Sequence, residues 1–222
     1  MPEQITISRA MEDYLKAIYQ LSIEIDRVST SQLAERMKCT PASVTNMLQK
    51  LSGLKVVEYA PYQGVKLTPA GRKIALEVIR HHRLLELYLS EVLGYSWDQV
   101  HAEAEELEHF ISEEFEARID EALGFPDRDP HGDPIPTKDL EISTERFLSL
   151  WEAESGQGLT VRRVNDDNPE MLRYLASIGI YPDVQLIVVE KAPFNGPVHI
   201  QIDSGQHSLG EELARQIFVT PT

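Results

Sequence analysis

The sequence predicts an α+β, multi-domain protein: an N-terminal winged helix–turn–helix, a pair of long helices, and a compact C-terminal β-barrel. Three observations carry this. Apolar residues recur at helical spacing as far as Leu123. Thr40-Pro41 and Thr68-Pro69 each pair a helix N-cap with a proline suited to the first helical position. From Leu159 short β runs take over.

The first helix is expected from Ser8 to Ile23, with Leu15, Ile18 and Leu21 on one stripe. Ser29 and Thr30 cap a short helix, Gln32 to Lys38, and a turn at Cys39 leads into a helix from Pro41 to Ser52 that buries Val44, Leu48 and Leu51. Val56–Tyr59 and Val65–Leu67 flank a turn with Pro61 and Gly64, which makes the hairpin wing. Two long helices follow, Ala70–Leu89 and Gln99–Leu123; their apolar faces suit either a dimer interface or a monomeric helical pair. Residues 124–143 are proline-rich and irregular, and a short helix is expected from Ser143 to Glu154. Strands are expected at Leu159–Val164, Val184–Glu190, Val198–Ile202 and Ile217–Val219, with a helical turn at Leu209–Arg215.

Charge is unevenly spread. Residues 1–80 hold eleven Lys/Arg against eight Asp/Glu, a surplus of +3, which leaves −18 of the total −15 on the remainder. A mildly basic head on an acidic body suits a nucleic-acid module joined to a cation binder. No apolar run approaches the roughly 20 residues of a membrane-spanning helix, and Met1–Ile7 lacks a signal-peptide pattern, so a cytoplasmic location with no membrane partner is expected. The single Cys39 excludes an internal disulfide and a multi-cysteine zinc site.

The outer face of helix 41–52 carries Pro41, Ala42, Ser43, Asn46, Gln49 and Lys50, beside Thr40 and Thr45. Small and amide side chains at a helix N-terminus let the backbone enter the major groove and reach base edges. A plain solvated face would be polar too. The cap, the turn, the hairpin and the local positive charge together favour double-stranded DNA, with Lys50, Lys55, Lys66, Arg72 and Lys73 placed for phosphates.

His101, Glu105, Glu108 and His109 are spaced i, i+4, i+7 and i+8, one face of a helix, and His82 and Glu86 repeat the i, i+4 pair upstream. The glutamates alone would fit a solvated acidic face. Histidines at matching positions make a transition-metal site the better reading, since imidazole and carboxylate are ordinary ligands for such ions. Catalytic signatures are absent: there is no His-Glu-x-x-His, no Gly-x-Ser-x-Gly and no phosphate-binding glycine loop, and Glu106-x-x-His109 supplies one copy of a di-iron motif that needs two. Two other classes compete with a metal-sensing regulator: a winged-helix regulator of a small organic ligand, and a metal-dependent enzyme or storage protein.

The segments Met11-Glu12-Asp13-Tyr14-Leu15, Thr40-Pro41-Ala42-Ser43-Val44-Thr45, Arg80-His81-His82-Arg83-Leu84-Leu85-Glu86, Val100-His101-x-Glu103-Ala104-Glu105-x-x-Glu108-His109 and Pro130-His131-Gly132-Asp133-Pro134-Ile135-Pro136 jointly resemble the diphtheria toxin repressor family of manganese- and iron-sensing regulators. The resemblance covers nearly the whole chain. It implies a homodimeric repressor that binds a DNA operator when loaded with Mn²⁺ or Fe²⁺ and so controls metal-ion homeostasis genes. The implied division is a DNA-binding domain at 1–75, a helical dimerisation and metal-binding domain at 76–142, a linker at 143–158 and an SH3-like domain at 159–222.

The family's primary metal site falls on Asp13, Glu105, Glu108 and His109. Iron-sensing relatives place methionine and cysteine where this chain has Asp13 and Glu105, so the hard carboxylates here resemble the manganese branch. Binuclear manganese sensors carry a further glutamate where this chain has Lys16, and a two-metal cluster of that type is not implied. Two sets match a secondary site. One is His82, Glu86 and His101, completed from the SH3-like domain around Asp167, Asn168 or Glu170. The other is Glu86, Asp129 and His131, with Asp129 in place of a cysteine; a loop histidine packing the proline-rich segment would also account for His131. In the implied mechanism one ion joins the DNA-binding and dimerisation domains and thereby sets the spacing of two recognition helices.

Overall fold

The computed structural model describes residues 7–23 and 25–222. Most of the Met1–Ile7 stretch, which lacks a signal-peptide pattern, lies outside the described residues, as does Glu24. The chain forms two compact units: the first holds the described residues up to His81 together with Pro136–Glu141, the second His82–Ile135 with Ile142–Thr222. Among the described residues no helix is long and apolar enough to cross a membrane.

In the first unit, α1 (Arg9–Leu21), α2 (Thr30–Arg36) and α3 (Pro41–Gly53) precede a hairpin of β1 (Val57–Ala60) and β2 (Gly64–Leu67). Ser29 and Gln32 form a full capping box on α2. On α3, Thr40 accepts from the Ser43 N–H, and Pro41 occupies the first turn. Leu15, Ile18, Leu33, Val44, Leu48, Leu51 and Val65 form the core. Val65 also bridges Val28, which fixes the wing against the segment before α2. α4 (Pro69–Glu91) starts in this unit and continues into the second.

The second unit corrects the expected single helix over 99–123. It is two helices, α5 (Val100–Leu107) and α6 (Glu113–Ala122). The Ser112 hydroxyl accepts from the Phe115 N–H, and Glu113, Glu114 and Glu116 crowd the first turn of α6, where the helix dipole favours acids. A new N-terminus at Ser112 therefore outcompetes continuation, and His109 lies in the turn between helices.

The helix expected at 143–154 does not form. Leu148–Ser149 is strand β3, paired with β8 (Ile217–Pro221), and the Glu152 carboxylate accepts from both the N–H and the hydroxyl of Ser149. A short helix is costly to nucleate, and pairing buries Leu150 and Ala153 instead. The segment 143–158 read as a linker thus supplies a strand and core residues.

The C-terminal sheet has the order β3-β8-β4-β5-β6-β7, with β4 (Gly158–Val164), β5 (Gln185–Lys191), β6 (Val198–Ile202) and β7 (Gly205–Leu209) all antiparallel to their neighbours. Strand β7 and helix α7 (Pro169–Ile178) were not anticipated. The signals for α7 were in the sequence: Asn168 caps it, Pro169 opens it, and Gly179 closes it at φ +84°. The remaining helix, α8 (Glu211–Ala214), is a single turn. Trp97, from the α4–α5 connection, enters the core of the sheet domain and donates its indole N–H to the Leu172 carbonyl at 3.2 Å.

Candidate metal centre and DNA-reading surface

On α3 the apolar stripe fixes the helix, so Pro41, Ala42, Ser43, Asn46, Gln49 and Lys50 are exposed. The Thr45 hydroxyl donates back to the Pro41 carbonyl at 2.9 Å, and the Thr40 and Ser43 hydroxyls lie 3.0 Å apart. On the wing, the Lys66 ammonium is 2.6 Å from Asp26, both exposed, and this contact holds the Asp26 carboxyl below the usual carboxylate range.

The residues of the expected primary set are carried by both units: Asp13 by α1, and Glu105, Glu108 and His109 by the end of α5 and the turn after it. Glu108 is wholly buried, whereas the Glu105 side chain is 44% exposed. His82, on α4, directs Nδ1 at Glu108 in a short hydrogen bond and lies 3.6 Å from Glu105. His109 lies 3.4 Å from Glu108.

Both expected secondary sets assemble in the second unit and share Glu86. On one side, Glu86 Oε1 is 3.0 Å from His82 Nε2 and 3.1 Å from His101 Nδ1. The C-terminal domain reaches this group through Asp166, 3.0 Å from His101. Asp166 replaces the three neighbours expected there: Asn168 is spent on capping α7, and Asp166 is the acid nearest β4. The Asp166-Asp167 doublet was visible in the sequence, but the turn that selects one of the two was not.

On the other side, Glu86 Oε2 and His131 Nδ1 are fully buried, 3.9 Å apart, and neither has a hydrogen-bond partner. Such orphaned atoms are costly unless something bridges them. The tautomer of His131 follows from its other nitrogen. Nε2 is 2.8 Å from the Trp97 carbonyl, which can only accept, so Nε2 carries the proton and Nδ1 is the nitrogen left to bind an ion. The Asp129 carboxylate completes this group.

Electrostatics agree. Burial, then Asp133 and Glu86, push the Asp129 carboxyl well above its ordinary value. Burial would lower His131 and His101, but neighbouring carboxylates outweigh it: Glu86 and Asp129 raise His131 to about 9, and Asp166 and Glu86 raise His101 to about 10. Burial opposes ionisation of Asp166, yet His101 holds it down at about 2. Protons on imidazole thus supply positive charge that a bound cation would otherwise bring. A buried set of carboxylate oxygens and imidazole nitrogens with two orphaned atoms fits a divalent transition metal.

Three family models match consecutive stretches: the N-terminal DNA-binding domain of iron-dependent repressors at residues 6–65, their metal-binding and dimerisation domain at 68–137, and the FeoA domain at 148–221. Over 221 residues the chain is 30% identical to the iron-dependent repressor IdeR of Mycobacterium tuberculosis (strain ATCC 25618 / H37Rv), covering 94% of this chain and 95% of the relative. The chain belongs to the iron-dependent repressor family. IdeR of Mycobacterium leprae (strain TN) is 29% identical over 220 residues, with the same coverage. Among solved structures, a manganese-dependent transcriptional repressor in complex with manganese has a TM-score of 0.88 and 43% identity, covering 96% of this chain and all of that one. The manganese regulator SloR has a TM-score of 0.78 and 32% identity over 98% of this chain and all of its own. Membership in the iron-dependent repressor family makes the protein a metal-dependent transcriptional repressor with a DNA-binding domain, a metal-binding dimerisation domain and an SH3-like FeoA sheet domain.

Proposed function

We propose that this repressor answers to Mn²⁺ in preference to Fe²⁺, and that it binds a palindromic operator as a cytoplasmic homodimer. The observation that carries the metal reading is the orphaned pair Glu86 Oε2 and His131 Nδ1 within an all-oxygen-and-nitrogen donor set. Hard carboxylates at Asp13, Glu105 and Asp129, with no thiolate among the ligands, suit Mn²⁺. Asp13, Glu105, Glu108 and His109 would hold one ion; Glu86, Asp129 and His131 would hold a second. An ion held by Asp13 together with Glu105, Glu108 and His109 would tie the DNA-binding domain to the dimerisation domain, and a ligand that favours one conformer shifts the population towards it. Operator half-sites about 34 Å apart then select the metal-loaded dimer.

The domain division proposed is DNA binding at 1–75, dimerisation and metal binding at 76–142, and the sheet domain from β3 onward. The second unit exposes Val92, Leu93, Phe110 and Phe115, apolar area suited to a partner copy. Thr40, Pro41, Ala42, Ser43, Thr45 and Asn46 read bases, and Lys50 and Lys66 meet phosphates.

The test is retention of double-stranded DNA from upstream of metal-transport genes, titrated with Mn²⁺, Fe²⁺, Zn²⁺ or chelator. Retention with Mn²⁺ and loss with chelator is expected; equal affinity in both defeats the proposal. Asn46→Ala and Ser43→Ala each weaken specific binding by about 1–3 kcal/mol, whereas Lys66→Ala weakens all sequences alike and flattens the salt dependence.

A further inference from the structure

The loop Asp129–Pro134 supplies two of the second site's three core ligands, and its own bonding fixes their aim. Asp129 Oδ1 accepts the N–H groups of His131 and Asp133, each at 2.9 Å, while the Asp129 N–H donates to the Asp133 carbonyl at 3.0 Å. Oδ1 is thereby committed to the turn, and Oδ2 lies 3.6 Å from Arg83 Nε. Gly132 sits at φ +90°, and a Cβ there would come within 2.0 Å of the Arg162 carbonyl. The loop is therefore pressed against β4, where the Val164 N–H also donates to the His131 carbonyl at 2.9 Å.

Asp133 joins three elements. Its Oδ1 accepts from Arg83 Nη2 on α4 at 3.0 Å and from Arg163 Nη1 on β4 at 3.2 Å. Arg83 also donates to the Pro134 carbonyl at 2.5 Å, so α4 grips the loop without help from Arg163. What Arg163 adds is a lateral tie to the C-terminal domain, and its guanidinium is itself held 4.0 Å above the Phe218 ring. Arg83 and Glu86 share α4, so Arg83 holds the loop at its distance from Glu86, while Arg163, bonded to the same Asp133 oxygen from β4, fixes the lateral position at which Asp129 and His131 face Glu86.

We propose that Arg163 is a positioning residue for the Glu86–Asp129–His131 metal site, acting through Asp133, so that the C-terminal domain sets the affinity of an ion it borders. The inference rests on the second-site reading above. Groups that orient metal ligands are worth about 10–100-fold in affinity.

The experiment is titration of the full-length, metal-free protein with Mn²⁺, followed by the electron paramagnetic resonance signal of the free ion, without DNA. Wild type is expected to bind two ions per chain. Arg163→Ala should weaken the second ion about tenfold and leave the first unchanged. Arg163→Lys keeps a cation over Phe218 and beside Asp133, and should recover most of that loss. Phe218→Leu removes the platform alone and gives a smaller shift in the same direction, which keeps the test intact if Arg163→Ala fails to fold. Second-ion affinity unchanged in Arg163→Ala, or equal weakening of both ions, overturns the positioning role. His131→Ala separates the two failures: if it removes the second ion while Arg163→Ala does not, only the positioning role falls. If wild type itself binds one ion, the second-site reading falls and takes the inference with it.

Discussion

The two proposed ligand sets of the second unit are built in opposite ways. Glu105, Glu108 and His109 come from five consecutive positions at one helix end, with Glu105 open to solvent. Glu86, Asp129 and His131 come from a helix and a distant loop, all buried, with two polar atoms unsatisfied. A local set is gathered by one helix end; a dispersed set is gathered by the folding of the whole unit. Under the function proposed above, the first set would switch DNA binding and the second would stabilise the body that carries it.

The largest effect expected concerns the switch. Glu108→Ala or Asp13→Ala should reduce Mn²⁺-dependent operator affinity by at least about 100-fold, since even groups that only orient ligands are worth about 10–100-fold. Fluorescence anisotropy of a labelled operator checks this. A variant that still responds to Mn²⁺ would erase the contrast between the sets. Next, His131→Ala should remove one ion per chain while the operator complex, at saturating Mn²⁺, weakens about tenfold or less. Metal analysis after dialysis, paired with the same anisotropy assay, reads both quantities.

The third effect is on pH. Glu86 and Asp129 raise His131 to about 9, so it should carry a proton at neutral pH in the metal-free protein, and an ion held at Nδ1 would displace that proton. Second-ion affinity should therefore rise at least roughly tenfold per pH unit up to about pH 9, and more steeply where the raised Asp129 carboxyl also gives up a proton, measurable by calorimetry in buffers of different ionisation enthalpy. Stability of the metal-free chain follows the opposite sign. Both raised imidazoles contribute fully below the unfolded value of 6.5, and the contribution fades as pH rises through about 9 and 10. The smallest effect is expected at Glu105. Being part-exposed, Glu105→Gln should change metal-free stability by no more than about 0.5 kcal/mol while still weakening the first ion.

The same contrast explains what the sequence disclosed. Helical spacing exposed His82, Glu86, His101, Glu105 and Glu108, because i, i+4 and i+7 positions share a face whatever the tertiary structure. Asp166 escaped because its partner His101 lies 65 positions away and one turn decides between it and Asp167. Caps locate α2, α3 and α4, yet the equally clear caps Ser112 and Asn168 are masked, since apolar spacing runs on through the first and β runs surround the second. Strand β3 is fixed by pairing with β8 at the far end of the chain, which no local pattern announces.

The position of Trp97 gives the protein an optical consequence. Its indole stacks on the His131 imidazole, centroids 5.5 Å apart and planes 27° apart. A protonated imidazole quenches indole emission by accepting an electron from the excited ring, and a neutral, ion-bound imidazole does so far less. Filling the second site should brighten Trp97 at neutral pH, and Trp151→Phe would leave it as the chain's sole indole. The stacking that closes a domain core would thus make the repressor a fluorescent gauge of its own loading, readable in solution without any attached dye.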